Sequence, residues 1–477
     1  MVFYKSCMSV LNVIMDVIKS IISICYEFLW GDLVTIPLPG GGSLGLSLLV
    51  IILIPSGVYF TIKTKAMLFR FFPEMIRITL EKKNSDDKHS LSGFQALIVS
   101  TATRVGMGNL VGVVAAISAG GAGAVFWMWL IAILGSSTAY IEATLAQLYK
   151  KKDPLYGGYK GGPAYYIHAL FIKEGSGKKH SVIAVLFALS GLLCWGGISQ
   201  VIGNSVTSAF DTAFNIPPIW TTIVLVAISA VIVLRKHATV KVLDVIVPIM
   251  AALYFLFTII VMVMNIGQIP EVLAQIFTEA FGFRQVVAGG IGAVIMNGAK
   301  RGLFSNEAGS GSAPCAAATA DVDHPAKAGL LQAFGVFIDT IVICTCTAMI
   351  ILLTPESAAA GLEGMPLLQA AMEHHFGFFG VVFIAVILFL FSFSTFLGVL
   401  FYARSNVSYI WGDSWRSQTI YKIFALIMLF IGGLASYTFV WDLGDIGIAL
   451  MTIFNMIALF PMSKEALRAL DEYKKKK

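Results

Sequence analysis

The segments Thr103-Arg104-Val105-Gly106-Met107-Gly108-Asn109 and Asn306-Glu307-Ala308-Gly309-Ser310-Gly311-Ser312 set glycines, amides and a carboxylate inside two otherwise apolar stretches. Glycine lets a backbone leave the helix and lets a ligand approach the main chain. Amides freed at a half-helix N-terminus carry partial positive charge and suit a carboxylate. Carbonyls freed at the opposite half-helix end suit Na⁺ or an ammonium. Two such breaks predict a site for a small zwitterion and a cation. The site reading falls on Gly106, Gly108, Gly309 and Gly311, flanked by Asn109, Asn306 and Glu307, whose carboxylate could cap freed amides or meet an ammonium. Close helix packing is the competing use of small residues, and it is the preferred reading for Gly112, Gly120 and Gly121.

The elements that must hold these breaks are membrane spans. Mean hydropathy is +0.84, with 57% hydrophobic and 13% charged residues. A soluble domain carries roughly 25% charged residues. Apolar stretches of spanning length, enough for a bilayer core of about 30 Å, recur near 46–62, 91–118, 124–149, 182–210, 219–234, 243–265, 286–319, 326–353, 378–403, 419–435 and 443–461. The breaks fall inside 91–118 and 286–319, at matching places in two halves. Backbone groups freed at membrane depth must line a protein cavity, because lipid cannot satisfy them. Paired interruptions of this kind point to the central site of a secondary transporter. The expected class is an all-α integral membrane protein with one membrane domain over 1–477.

Within that domain the divisions are 1–30, 46–90 (a span and a loop), 91–265, 286–461 and a basic tail at 462–477. In the first, Asp16, Lys19, Ser20, Ser23 and Glu27 form one polar stripe at spacings of three and four. An amphipathic helix lying in the interface fits this pattern. The features of a cleaved signal peptide are poorly met, so the segment is expected to be retained.

Basic residues set an orientation. If 63–88 is cytoplasmic, the inner segments hold 27 of the 33 Lys and Arg, and the outer loops between spans hold only Arg284. Positive-inside asymmetry then puts the N-terminal helix at the outer face of the cell membrane and the C-terminus in the cytoplasm. The net charge of +6 reflects topology and anionic headgroups, and gives no argument for nucleic acid. Arg104, Glu142, Lys300, Arg301, Glu307 and Asp339 fall at membrane depth. Each would cost about 2.5–3.5 kcal/mol against lipid, so they must face the bundle interior, water or one another. Structural pairing and a functional role are even alternatives for Glu142 and Asp339.

Other chemistry is weak. The six cysteines show no metal spacing and lie in apolar stretches. His374-His375 sits in an expected outer loop and reads as solvated surface. Gly106-Met107-Gly108-Asn109-Leu110-Val111-Gly112 imitates a dinucleotide fingerprint with the wrong last spacing. No nucleophile–base pair or metal cluster suggests an enzyme.

Three blocks carry a family resemblance. Gly120-Gly121-Ala122-Gly123-Ala124-Val125-Phe126-Trp127 and onward to Gly135 resembles the signature of the alanine or glycine:cation symporter family. The run Gly302 to Gly309 followed by Gly311-Ser312-Ala313-Pro314, and Phe337-Ile338-Asp339-Thr340 with Cys344 and Thr347, are similar to two more of its blocks. The resemblance implies a leucine-transporter-like fold: two inverted five-helix repeats (91–265 and 286–461) behind one extra N-terminal span, eleven in all. It further implies inward carriage of small neutral amino acids such as alanine with Na⁺, or in some cases H⁺. Carried over by the resemblance, Gly106, Gly108 and Asn109 would offer main-chain and amide groups to solute and ion, and Asn306, Glu307, Gly309 and Gly311 would do the same from the second break.

By analogy with the wider fold, hydroxyls of Ser394 and Thr395 would complete a Na⁺ shell with the carbonyls of Ala102 and Val105. Hard oxygens are what an alkali cation takes, although Ser and Thr often bond back to their own helix instead. The chain also departs from the family. Ile202 stands where Gln is common, with Gln200 as a substitute solute ligand, and Val399 stands where Trp is usual. Ala403-Arg404 replaces Gly-Glu, and Cys315-Ala316-Ala317 replaces Ile-Ala-His. Val399 would widen a pocket, so a solute bulkier than alanine is expected. Proton-coupled or exchange transport remains open. A non-transporting sensor would usually add a signalling domain, and none is read here.

Overall fold

A computed structural model describes residues 19–37, 43–81, 91–173, 177–235, 239–282, 290–359 and 361–476. Among these the chain is helical apart from two short hairpins. A helix over 19–30 leads into β1 (Val34–Pro37), which pairs antiparallel with β2 (Ser43–Leu46). Asp16 lies outside the described residues, whereas Lys19, Ser20, Ser23 and Glu27 are exposed, as are Ile21, Ile24 and Phe28 on the same helix. Leu29 and Trp30 are buried.

The next helices are α1 (Leu48–Lys63), α2 (Phe72–Thr79), α3 (Gly93–Arg104) and α4 (Val113–Gly120). Ser92 and Gln95 form a capping box that starts α3, fixing its first orphan amides. A single π turn, Gly108–Gly112, enters α4, and α3 and the helical part after the break meet at 46°. Then follow α5 (Gly123–Leu148), α6 (Pro163–Phe171), α7 (Val182–Phe214), α8 (Pro218–Val233), α9 (Thr239–Met264) and α10 (Ile269–Ala280). In the second half, α11 (Gly290–Asn306) stops at the second break and α12 (Pro314–Ala317) resumes after it. α13 (Pro325–Val336) passes through a π segment, Phe337–Cys344, into α14 (Thr345–Leu352). α15 (Met365–Phe376), α16 (Phe378–Trp411), α17 (Trp415–Leu434) and α18 (Tyr437–Lys475) complete the chain.

Among the described residues, every apolar stretch expected to span lies on a helix or a broken helix. Seven described helices are long and apolar enough to cross a bilayer, and the bent pair about the first break makes eight. Two boundaries lie furthest from expectation. α16 runs on to Trp411, and α18 runs through the expected basic tail to Lys475. Ala466, Leu470 and Tyr473 explain the second difference: they form a buried stripe at helical spacing. Tyr140 donates to Ala466 O (3.1 Å) and Tyr473 bonds Glu74, tying that end to α5 and α2. The helix α10 was not expected as a separate element. Its Glu279 accepts from the amides of Ala122 (2.7 Å) and Gly123 (3.4 Å), capping α5.

α7 runs through the interior against α16, α17 and α18. A Cβ at Gly197 would stand 2.6 Å from Gly444 N, and one at Gly447 2.4 Å from Cys194 Cα. That backbone approach is what small residues permit between membrane helices. Gly112 is not such a position, since a Cβ there would meet nothing within 4 Å. Gly121 serves instead as a turn at φ +68°.

Candidate functional site

The first break begins where Val105 leaves the helix at ψ 78°, although its amide still donates to Thr101 O (2.6 Å). The amide of Gly106 donates to Asn109 Oδ1 (2.8 Å), and that of Met107 to Thr395 Oγ1 (3.3 Å). A Cβ at Gly106 would lie 2.0 Å from that same hydroxyl, so only glycine fits against α16. A Cβ at Gly108 would sit 3.2 Å from Ser305 Cα. The two breaks therefore touch.

At the second break Glu307 takes a left-handed φ of 56°, followed by Gly309 at 89° and Gly311 at 85°. A non-glycine residue held there is strained and persists because its surroundings fix it. The freed amides do not wait for a ligand. Glu142, on α5 and fully buried, accepts from Gly309 N and Gly311 N, each at 3.2 Å. Asn306 Oδ1 takes Ala308 N (3.0 Å), Leu303 O takes Glu307 N (2.8 Å), and Glu307 O takes Ser310 N (3.1 Å). Ser310 Oγ takes Ser312 N (3.3 Å). Asn455 clamps the turn by donating to Glu142 Oε2 and Gly309 O, both at 2.9 Å. The expectation that Gly309 and Gly311 present free amides is thus corrected: a carboxylate of the chain already holds them.

Asp339 knots the breaks together. Its Oδ1 accepts from Asn109 Nδ2 (2.7 Å), and its Oδ2 from Ser305 Oγ (2.9 Å) and Thr340 Oγ1 (2.7 Å). Asn306 Nδ2 reaches Thr340 Oγ1 (3.3 Å), and Thr347 donates to Asn109 O (2.7 Å). The Cys344 thiol lies 3.2 Å from both Asn109 Nδ2 and Ser305 Oγ. Asn109, Asn306, Asp339 and Thr340 are all wholly enclosed.

Facing α3 from α16, the hydroxyls of Ser394 and Thr395 come 3.3 and 3.5 Å from Ala102 O. Each also bonds back to Phe391 O at 2.9 Å. Three of the four oxygen sources expected for a cation are gathered here, with Val105 three residues beyond Ala102 on the non-helical stretch. Tyr402, two turns after Thr395 on α16, bonds Thr103 Oγ1 (2.5 Å) and Glu307 Oε2 (3.4 Å). Thr103 lies 3.5 Å from the same carboxylate oxygen. Val399 is buried one turn from each of Thr395 and Tyr402, on their face of the helix. Neither Tyr402 nor Thr103 was singled out from sequence. The signal for Tyr402 was a polar residue recurring at helical spacing after Ser394-Thr395, and that for Thr103 was its place at the start of the first break.

Gln200 does not join them. Its Nε2 points to Met428 Sδ (3.7 Å) on α17, and its backbone lies against Gly432. Gln200 and Ile202 are two positions apart, about 200° of helix rotation, so they face opposite sides of α7. The remaining intramembrane charges separate cleanly. Arg301 makes two parallel bonds to Asp445, 3.1 Å each, with Lys300 3.7 Å from the same carboxylate. Trp30 Nε1 donates to Asp445 O (3.0 Å), so the N-terminal helix rests on this pair. Arg104 instead uses Nη1 alone, bonding Gln332 O and Oε1 at 3.1 Å each.

The chain that carries these two breaks is similar over nearly its whole length to known proteins. The model described as the sodium:alanine symporter family matches residues 41–477. The chain belongs to the sodium:alanine symporter family. It is 40% identical over 463 residues to the probable sodium/glutamine symporter GlnT of Bacillus subtilis, covering 97% of this chain and 92% of that one. It is 42% identical over 432 residues to the amino-acid carrier protein AlsT of the same organism, covering 89% of each. The sodium/alanine symporter AgcS of Methanococcus maripaludis is 34% identical over 421 residues, with 87% and 91% covered. Among solved structures, a mutant manganese transporter of Eremococcus coleocola superposes with a TM-score of 0.51 at 14% identity, over 80% of this chain and 78% of that one. This second likeness shows the fold. Members of the sodium:alanine symporter family are transporters and not enzymes, and this one is a multi-pass membrane protein.

Proposed function

We propose that the chain carries a small neutral amino acid inward together with Na⁺, by alternating access. The observation that carries this reading is the meeting of the two breaks, with Ala102 O, Ser394 and Thr395 alongside. Na⁺ is a cargo suited to neutral oxygen donors. Glu307 would meet the solute ammonium, and Asn109 and Asn306 would hold the turns in register. Inward movement of one charge gains about 2.3 kcal/mol per 100 mV of membrane potential.

The eleven helices and broken helices would all span, as two inverted repeats of five behind α1. The basic segments support an outer N-terminus and an inner C-terminus. On that orientation Arg301 and Asp445 close the outer side of the site.

Val399 supports a solute larger than alanine, and a relative named as a probable sodium/glutamine symporter agrees in size. Proton coupling is the second reading, favoured by a relative named a sodium/proton-dependent alanine carrier protein from Bacillus sp., 34% identical.

Uptake into proteoliposomes with an inward Na⁺ gradient, over a panel of labelled amino acids, tests the reading. Uptake that collapses in choline supports Na⁺ symport, and the ranking tests the enlarged pocket. Uptake that persists in choline and follows a pH gradient moves the coupling to H⁺.

A further inference from the structure

At the second break every amide from Glu307 to Ser312 already has an acceptor within the chain. At the first, Gly106 and Met107 are taken by Asn109 and Thr395. A solute carboxylate therefore finds none of these main-chain donors free. Arg104 closes α3 at the same place, is 0% exposed, and has neither Nε nor Nη2 partnered among the described residues. Those two atoms form one edge of the guanidinium. That edge offers two parallel N–H donors that match the two oxygens of a carboxylate. Burying such donors unpaired is costly.

The rest of the side chain is built to aim the edge. Gln332 takes Nη1 through both its carbonyl and its amide oxygen, fixing the plane. A Cβ at position 335 would come 2.8 Å from Nη1, so Gly335 makes room for the group. The preceding residue, Thr103, lies 3.5 Å from the Glu307 carboxylate. A cationic edge at the first break and an anionic group at the second are thus brought together where the breaks meet, as the two ends of a zwitterion require.

We infer that the Nε–Nη2 edge of Arg104 receives the carboxylate of the transported solute and makes this residue a determinant of acid over neutral-amide recognition. This rests on the breaks being the solute site. The edge is enclosed in this conformation, so the solute reaches it when the half-helices part.

Equilibrium binding to the full chain in detergent, at saturating NaCl, tests the assignment without requiring transport. L-Alanine, L-glutamine and their α-carboxamides are titrated into wild type, Arg104→Gln and Arg104→Lys. Wild type should prefer the acids. Arg104→Gln should weaken them about 100-fold, the order of a charge-assisted bidentate pair, while leaving the carboxamides unchanged. Arg104→Lys, which keeps charge without the fork, should fall between and carries the comparison if the Gln variant does not fold. Equal losses for acids and carboxamides, or an unchanged ratio, would overturn the inference. The first of these is also the result if a carboxylate of the chain itself pairs with Arg104 in another state. Absent Na⁺-driven uptake by wild type would instead strike the proposed function, with the binding ratio still readable.

Discussion

Glu142 holds Gly309 and Gly311 by their amides, 3.2 Å each, from a helix more than 160 residues earlier in the chain. A bilayer offers no water to those amides, so the turn depends on that carboxylate. Glu142→Ala should strand two buried donors and lower stability by about 2–5 kcal/mol, read as a fall in thermal unfolding temperature. Glu307→Gln should leave the unfolding temperature near wild type and abolish uptake. If the two variants exchange these behaviours, the roles assigned to the two carboxylates are reversed.

Asn109 is the donor that lets Asp339 bridge the breaks. Asn109→Ala should eliminate uptake while the protein still inserts. Asn109→Asp should be worse for stability, because it sets a second acceptor 2.7 Å from Asp339 Oδ1. Uptake and unfolding temperature measured on the same preparations separate the two effects. Normal uptake by Asn109→Ala would remove it from the site.

Thr395 tests the cation face. Thr395→Val keeps the shape and removes the hydroxyl, and the apparent Na⁺ affinity for uptake should drop about tenfold, the equivalent of one lost ligand near 1.4 kcal/mol. Thr395→Ser should stay close to wild type. Gly106→Ala would drive a methyl into the same hydroxyl and should abolish uptake outright. An unaltered Na⁺ dependence in Thr395→Val would reduce the hydroxyl to its bond with Phe391.

Val399 bears on the size of the solute. Val399→Trp should suppress uptake of glutamine-sized amino acids at least tenfold while sparing alanine, since only the larger ligand clashes. Competition between labelled alanine and unlabelled glutamine gives the ratio directly. Equal effects on both would place Val399 outside the pocket wall.

Much of this site was legible because polar and glycine residues inside apolar runs are expensive in a membrane. Both breaks, Ser394-Thr395 and the intramembrane charges stood out for that reason. The partners did not, because they come from contacts distant in sequence. Nothing near Glu142 indicates that it caps amides at 309 and 311, and nothing near Asp445 announces Arg301 or Trp30. Gln200 failed for a different reason: it and Ile202 lie on different sides of one helix, and sequence alone did not say which side faces inward. The length of α18 was hidden by its charges, which mask a buried stripe of Ala466, Leu470 and Tyr473.

The central claim is that one site couples Na⁺ to an amino acid. Charge movement in proteoliposomes on a solid-supported membrane tests it most directly. Rapid addition of L-alanine or L-glutamine should give an inward positive current in NaCl and none in choline chloride at constant pH. Thr395→Val should require more Na⁺ for the same current, and Glu307→Gln should give none. A current of equal size in choline, or no dependence on the amino acid, would contradict the account.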